Sequence, residues 1–162
     1  MRKHVFVATT DDEPGVLNRV ASLFRRRAFN IHSLTVGPAS RPGFSRMTLV
    51  VETDELGAQR VQAHLRKLVN VLHVDDLTDC PSVVRDLALI RVRATLEERL
   101  QVFQLAQTFR ARIVDVSEDS VVVECVGSPA KVSALVAVLR PYGLLELGHT
   151  GAVAMSRRTL SG

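Results

Sequence analysis

The chain has 162 residues, 46% of them hydrophobic and 4% aromatic, with no Trp and a formal charge of +4. That is enough apolar material for one ordinary core or two small ones. The basic residues are scattered and the longest run, Arg25-Arg26-Arg27, closes a predicted helix, where cations suit the negative pole; with few aromatics to stack on bases and no apolar run of bilayer length, nucleic-acid and membrane roles are set aside.

Residues 4–9 read as a strand, broken by Asp11-Asp12-Glu13-Pro14-Gly15. Val16, Leu17, Val20, Leu23 and Phe24 recur at helical spacing and predict a helix over 14–27. A second strand is expected from Asn30 to Val36, and a loop from Gly37-Pro38 to Arg41-Pro42-Gly43. Met47–Val51 forms a third strand, 55–69 a helix, and Val71–Leu77 a fourth strand. The order is βαββαβ, and the unit spans residues 1–78. Residues 79–83 read as a linker.

The pattern restarts over 84–162. Leu87–Ala94 predicts a strand, and Leu96, Leu100, Phe103 and Ala106 mark a helix ending near Arg110. Ile113–Val116 and Val121–Val123 are short strands around a Ser-Glu-Asp turn. Ser128-Pro129 opens a helix that Pro141 is expected to end. Leu144–Leu147 and Gly151–Met155 complete a second βαββαβ unit. The fold class is therefore α+β: two ferredoxin-like split-βαβ units in tandem. Strand faces carrying Val5, Val7, Leu49 and Val51 are too apolar to stay wet, which argues for a partner, most simply a second copy.

No catalytic constellation emerges. His4, His32, His64, His73 and His149 are dispersed, and no GxSxG, HExxH, GxGxxG or GxxxxGK[ST] occurs. Cys80 and Cys125 form no CxxC or Cys/His cluster, so reduced thiols in a cytoplasmic protein are expected, with no secretory signal. Asp115 with Glu118-Asp119 reads as a solvated turn.

One junction invites recognition. A helix that starts at Pro14-Gly15 leaves backbone N–H groups able to meet a carboxylate, and Gly15 lets a ligand approach its backbone. Asn30 and Ile31 open the next strand. In a split-βαβ unit they need not lie beside this turn within one chain, but a neighbouring copy can supply them. Read locally, capping of the helix by Asp12 or Glu13 is the simpler account.

Asp12-Glu13-Pro14-Gly15-Val16-Leu17-Asn18-Arg19-Val20 resembles the signature turn and helix of ACT domains. The string from Leu23 through Ala28-Phe29-Asn30-Ile31-His32 to Val36, with Ser45–Thr48 and Lys67–Val71, resembles the small regulatory subunits of acetolactate (acetohydroxyacid) synthase. The likeness continues through Arg85–Ile90, Phe109–Val116 and Gly151–Arg157. It implies that the first unit is an ACT domain and that the chain has no active site of its own. It further implies a homodimer, joined through ACT domains, that docks on a catalytic subunit using thiamine diphosphate, Mg and FAD. That enzyme serves valine, leucine and isoleucine biosynthesis. The small subunit activates it and confers feedback inhibition by valine or a related branched-chain amino acid. Carried over by position, the effector contacts are Asp12, Gly15, Val16 and Leu17 of one chain with Asn30 and Ile31 of the other. Two positions depart from the family pattern: Ala28 stands where Gly is usual, so strain is expected if that backbone has positive φ, and His32 stands where Glu is common. Two further readings are a free-standing ACT-type sensor acting on another protein and, last, an RNA-binding module, for which the central strands lack aromatics.

Overall fold

The computed structural model describes residues 1–158. Its elements run β1 (Arg2–Asp11), α1 (Val16–Arg26), β2 (Ile31–Pro38), β3 (Phe44–Thr53), α2 (Glu55–Arg66), β4 (Val71–Asp76), β5 (Ser82–Arg93), α3 (Arg99–Thr108), β6 (Arg112–Val116), β7 (Ser120–Gly127), α4 (Pro129–Gly143), β8 (Leu144–His149) and β9 (Val153–Ser156). Two compact units are present: residues 1–83 together with the described residues from Ala152 on, and Val84–Gly151.

In the first unit an antiparallel sheet has the order β2-β3-β1-β4. Alternation sends Phe6, Ala8, Met47, Leu49 and Val51 to one face, where they meet Val16, Val20, Leu23 and Phe24 of α1 and Val61 and Leu65 of α2. Leu49 and Val51 therefore face the helices, and only Val5 and Val7 of the four expected open-face residues lie on the other side. Part of that side is covered from within the unit: β9 packs against β1, Arg46 donates to the Ala154 carbonyl at 2.8 Å, and Val7 and Ala154 are buried. The open-face argument for a second copy thus loses part of its premise. The segment from Ala152 clusters with the first unit, and β9 pairs with β5. The expected linker also shrinks, because Ser82 already begins β5 and Arg157 N–H bonds the Pro81 carbonyl just before it at 2.9 Å.

The second unit repeats the topology as β6-β7-β5-β8. Ala88, Ile90, Val92, Val121, Val123 and Cys125 form its core with Val102 and Ala106 of α3 and Val132, Leu135 and Leu139 of α4. Two local expectations fail here. α3 starts at Arg99, after a turn, so Leu96 and Leu100 are exposed at 78% and 71% and the buried stripe runs through Val102 and Ala106. Pro141 lies inside α4, two residues before its end; Gly143, at φ +111°, is what turns the chain into β8.

Candidate functional site

The turn after β1 is built on Gly15, which holds φ +88°. A Cβ there would meet open space, so the backbone conformation, not crowding, calls for glycine. Because this left-handed residue cannot be helical, α1 begins at Val16 rather than residue 14. Val16 is buried and anchors the helix to the core, while Leu17 stays 47% exposed. No side chain caps α1; by contrast, Asp54 caps α2 through Gly57 N–H at 2.7 Å, and Ser128 caps α4.

The acids expected to cap α1 are engaged elsewhere. Asp12 accepts from the Ser45 hydroxyl at 3.2 Å, and its own N–H donates to the Gly43 carbonyl at 3.0 Å. Glu13 accepts from the Asn70 amide at 3.4 Å. Asn70 is buried and joins four segments. Its amide also donates to Asp11 at 3.3 Å, its side-chain oxygen accepts from Arg19 of α1, and its carbonyl accepts from Asp11 N–H at 2.9 Å. Ser45, Arg19 and Asn70 thus fix the turn's shape with its helix start left open to solvent. Asn70 reads locally as an ordinary turn residue, and only its position in the Lys67–Val71 string marks it.

Asn30 and Ile31 lie elsewhere in the same chain. Ile31 pairs with Val51 on β3, whereas Thr10 and Asp11 pair with Ser45 and Phe44. Ser45 and Val51 are six residues apart on one strand, roughly 20 Å. Within one chain, then, the sequence-selected residues form two groups, Asp12–Leu17 at one end of the sheet and Asn30–Ile31 at the other.

Between them, α1 ends on Ala28 at φ +55°. Phe29 N–H bonds the Phe24 carbonyl at 3.1 Å and Ala28 N–H the Arg25 carbonyl at 3.3 Å, the paired bonds of a Schellman end. The Phe24 and Phe29 rings meet edge-on, 6.1 Å apart. The condition attached to Ala28 is met: a side chain occupies a left-handed position. His32 is exposed, 3.1 Å from the Lys3 ammonium.

The second unit offers less. Asp115 lies 4.0 Å from Arg91, and Arg99 donates to the Ser117 and Glu118 carbonyls at 2.8 and 3.0 Å, so this turn is tied by its backbone. Among the described residues no cluster of three or more His, Cys, Asp or Glu is arranged to hold a metal, and no helix is long and apolar enough to cross a membrane.

Known proteins resemble the chain along nearly its whole length. Residues 6–73 match the family model for the ACT domain of acetohydroxyacid synthase small subunits, and residues 85–158 the model for the small subunit of acetolactate synthase. A probable acetolactate synthase small subunit of Archaeoglobus fulgidus is 50% identical over 155 residues, covering 96% of this chain and 97% of its own. The small subunit of Mycolicibacterium smegmatis is 44% identical, with 95% and 91% covered. The crystal structure of the Thermotoga maritima small subunit superimposes with a TM-score of 0.90 at 37% identity, covering 99% of this chain and 100% of that one. A βαββαβ unit led by the Asp12–Gly15 turn, a second such unit, and these chain-long matches lead to one conclusion: the chain belongs to the acetolactate synthase small-subunit family, with an ACT domain as its first unit.

Proposed function

We propose that this chain is the regulatory subunit of an acetolactate synthase, activating a separate catalytic subunit and making it sensitive to valine or a related branched-chain amino acid. On this reading thiamine diphosphate, Mg and FAD belong to the catalytic partner, and the chain contributes regulation to branched-chain amino-acid synthesis in the cytoplasm.

The observation that carries the reading is the separation of the two groups of effector residues along β3. β2 is an edge strand, and an edge strand presents unpaired backbone groups to another chain. Antiparallel pairing of two β2 strands about a twofold axis reverses their direction. The partner's Ile31 end then lies beside Pro38, which pairs with Ser45, and Ser45 bonds Asp12. Such a dimer joins each Asp12–Leu17 turn to Asn30 and Ile31 of the other chain. The α1 start suits the effector carboxylate, Asn30 suits a polar group, and Leu17 and Ile31 suit a branched aliphatic side chain. Regulation follows as a population shift: an effector that binds one dimer arrangement more tightly biases the attached enzyme toward the state that arrangement favours.

The test is an assay of the catalytic subunit with and without this chain across a valine titration. The reading expects a faster enzyme with the chain, and inhibition only when the chain is present. An enzyme indifferent to the chain, or equally inhibited without it, overturns the reading; co-purification with a different protein would then favour the free-standing sensor.

A further inference from the structure

A cavity of about 670 Å³ opens in the first unit, a volume typical of small-molecule sites. It lies on the sheet face away from the helices. Thr9 pairs with Arg46 on β3 and with His73 on β4, and all three line the cavity, while Ala8 and Met47, each next in sequence, point to the helical core. The uncapped start of α1 belongs to the opposite face, so this is a second place on the domain.

The lining is apolar and cationic. Phe44, Leu72 and Met155 supply apolar wall, Arg41 and Arg46 bring guanidinium groups, and none of the lining residues is a carboxylate. His73 is already hydrogen-bonded to Asp75 at 2.8 Å. Among the described residues neither arginine has a carboxylate partner. Arg46 spends one nitrogen on the neutral Ala154 carbonyl, and its buried Nε has no partner among the described residues. Arg41 lies over the Phe44 ring, 4.8 Å from the centroid, which stabilises the cation without neutralising it. The ion pairs found among the described residues are made by other cations. Two uncompensated positive charges beside an apolar wall attract an anion more strongly than they would in open water.

We infer that this cavity binds an aliphatic carboxylate lacking an ammonium group, its carboxylate between Arg41 and Arg46 and its chain against Phe44, Leu72 and Met155. A free amino acid is the wrong ligand here, because its ammonium would face two guanidiniums and no lining carboxylate. The inference does not depend on the effector reading of the Asp12–Gly15 turn.

The test is calorimetric titration of the full-length chain with octanoate, with 2-aminooctanoate as the ammonium-bearing counterpart. Three variants are compared. Arg41→Gln removes a charge from an exposed loop, Arg46→Lys keeps the charge but loses the fork, and Gly15→Asp alters only the other face. Folding of each is checked by circular dichroism. Saturable octanoate binding is expected, weakened about tenfold by Arg41→Gln or Arg46→Lys, the scale of one charge-assisted hydrogen bond, and unchanged by Gly15→Asp. The amino analogue is expected to bind at least about tenfold more weakly. No saturable binding to the wild-type chain, affinity unaltered in both folded arginine variants, or equal binding of the amino analogue overturns the inference. Loss of octanoate binding in Gly15→Asp does so as well, by moving the anion to the α1 turn.

Discussion

At Gly15 the backbone adopts φ +88° in open space, so a substitution there acts on the ligand more than on the fold. Asp tolerates the left-handed region better than most residues, and Gly15→Asp is expected to cost about 1 kcal/mol of stability. Its carboxylate, beside the α1 N-terminus, repels an effector carboxylate. Valine inhibition of the reconstituted enzyme should fall at least about tenfold in sensitivity, and unchanged inhibition by a dimeric variant would remove the turn from the site. Ala28 is the converse case, a side chain where glycine fits better. Ala28→Gly relieves about 1–2 kcal/mol of left-handed strain against an entropic loss of about 0.4–1 kcal/mol. A gain of about 0.5–1 kcal/mol, a few degrees in Tm, is expected by thermal denaturation. The two thiols should also separate. Cys125 is buried and Cys80 exposed, and burial pushes the Cys125 thiol above its ordinary range. A pKa raised this way keeps it protonated and unreactive as pH rises through 8; titration with a thiol reagent should find one reactive group in the native chain and two after denaturation.

At the scale of elements, helices and sheet order were legible where a period repeats along the chain. The stripe Val16, Val20, Leu23 and Phe24 announces α1, whereas β1 alternates only weakly and Met47–Val51 is buried throughout, so the sequence puts Leu49 and Val51 on the wrong face of the sheet. What local periodicity cannot carry is contact between distant segments. Nothing in Ala152–Ser156 says that it lies against β1, and Leu96 and Leu100 fit helical spacing yet lie outside the core because a turn delays α3 to Arg99. Asn70 is similar: its role comes from partners at Asp11, Glu13 and Arg19, far away in sequence. Two experiments belong here. Ending the chain at Gly151 removes the nearly fully buried Ala152 and Ala154 and uncovers the face of Val7, so stability should drop by at least about 2 kcal/mol, read as a lower denaturation midpoint. Val36, on the β2 edge and 43% exposed, tests the edge. Val36→Glu places like charges across the proposed twofold, and should yield monomers by analytical ultracentrifugation at a folding cost within about 0.5 kcal/mol. A stable dimer of that variant would place the interface elsewhere.

For the whole molecule the geometry separates the site residues read from the sequence, Asp12–Leu17 at the Ser45 end of β3 and Asn30–Ile31 at the Val51 end. The resemblance to small subunits implies a shared site; if these residues form one site, the strand register keeps a single chain from closing it alone. The most direct test mixes two defective chains. In a twofold dimer of Gly15→Asp with Asn30→Ala, one site collects both substitutions and the other neither. Each variant alone should bind no valine by calorimetry, whereas the co-refolded mixture should recover roughly a quarter of the wild-type capacity, one intact site in each of the half of dimers that are mixed. A mixture that binds no more valine than the separate variants would contradict a site shared between two chains.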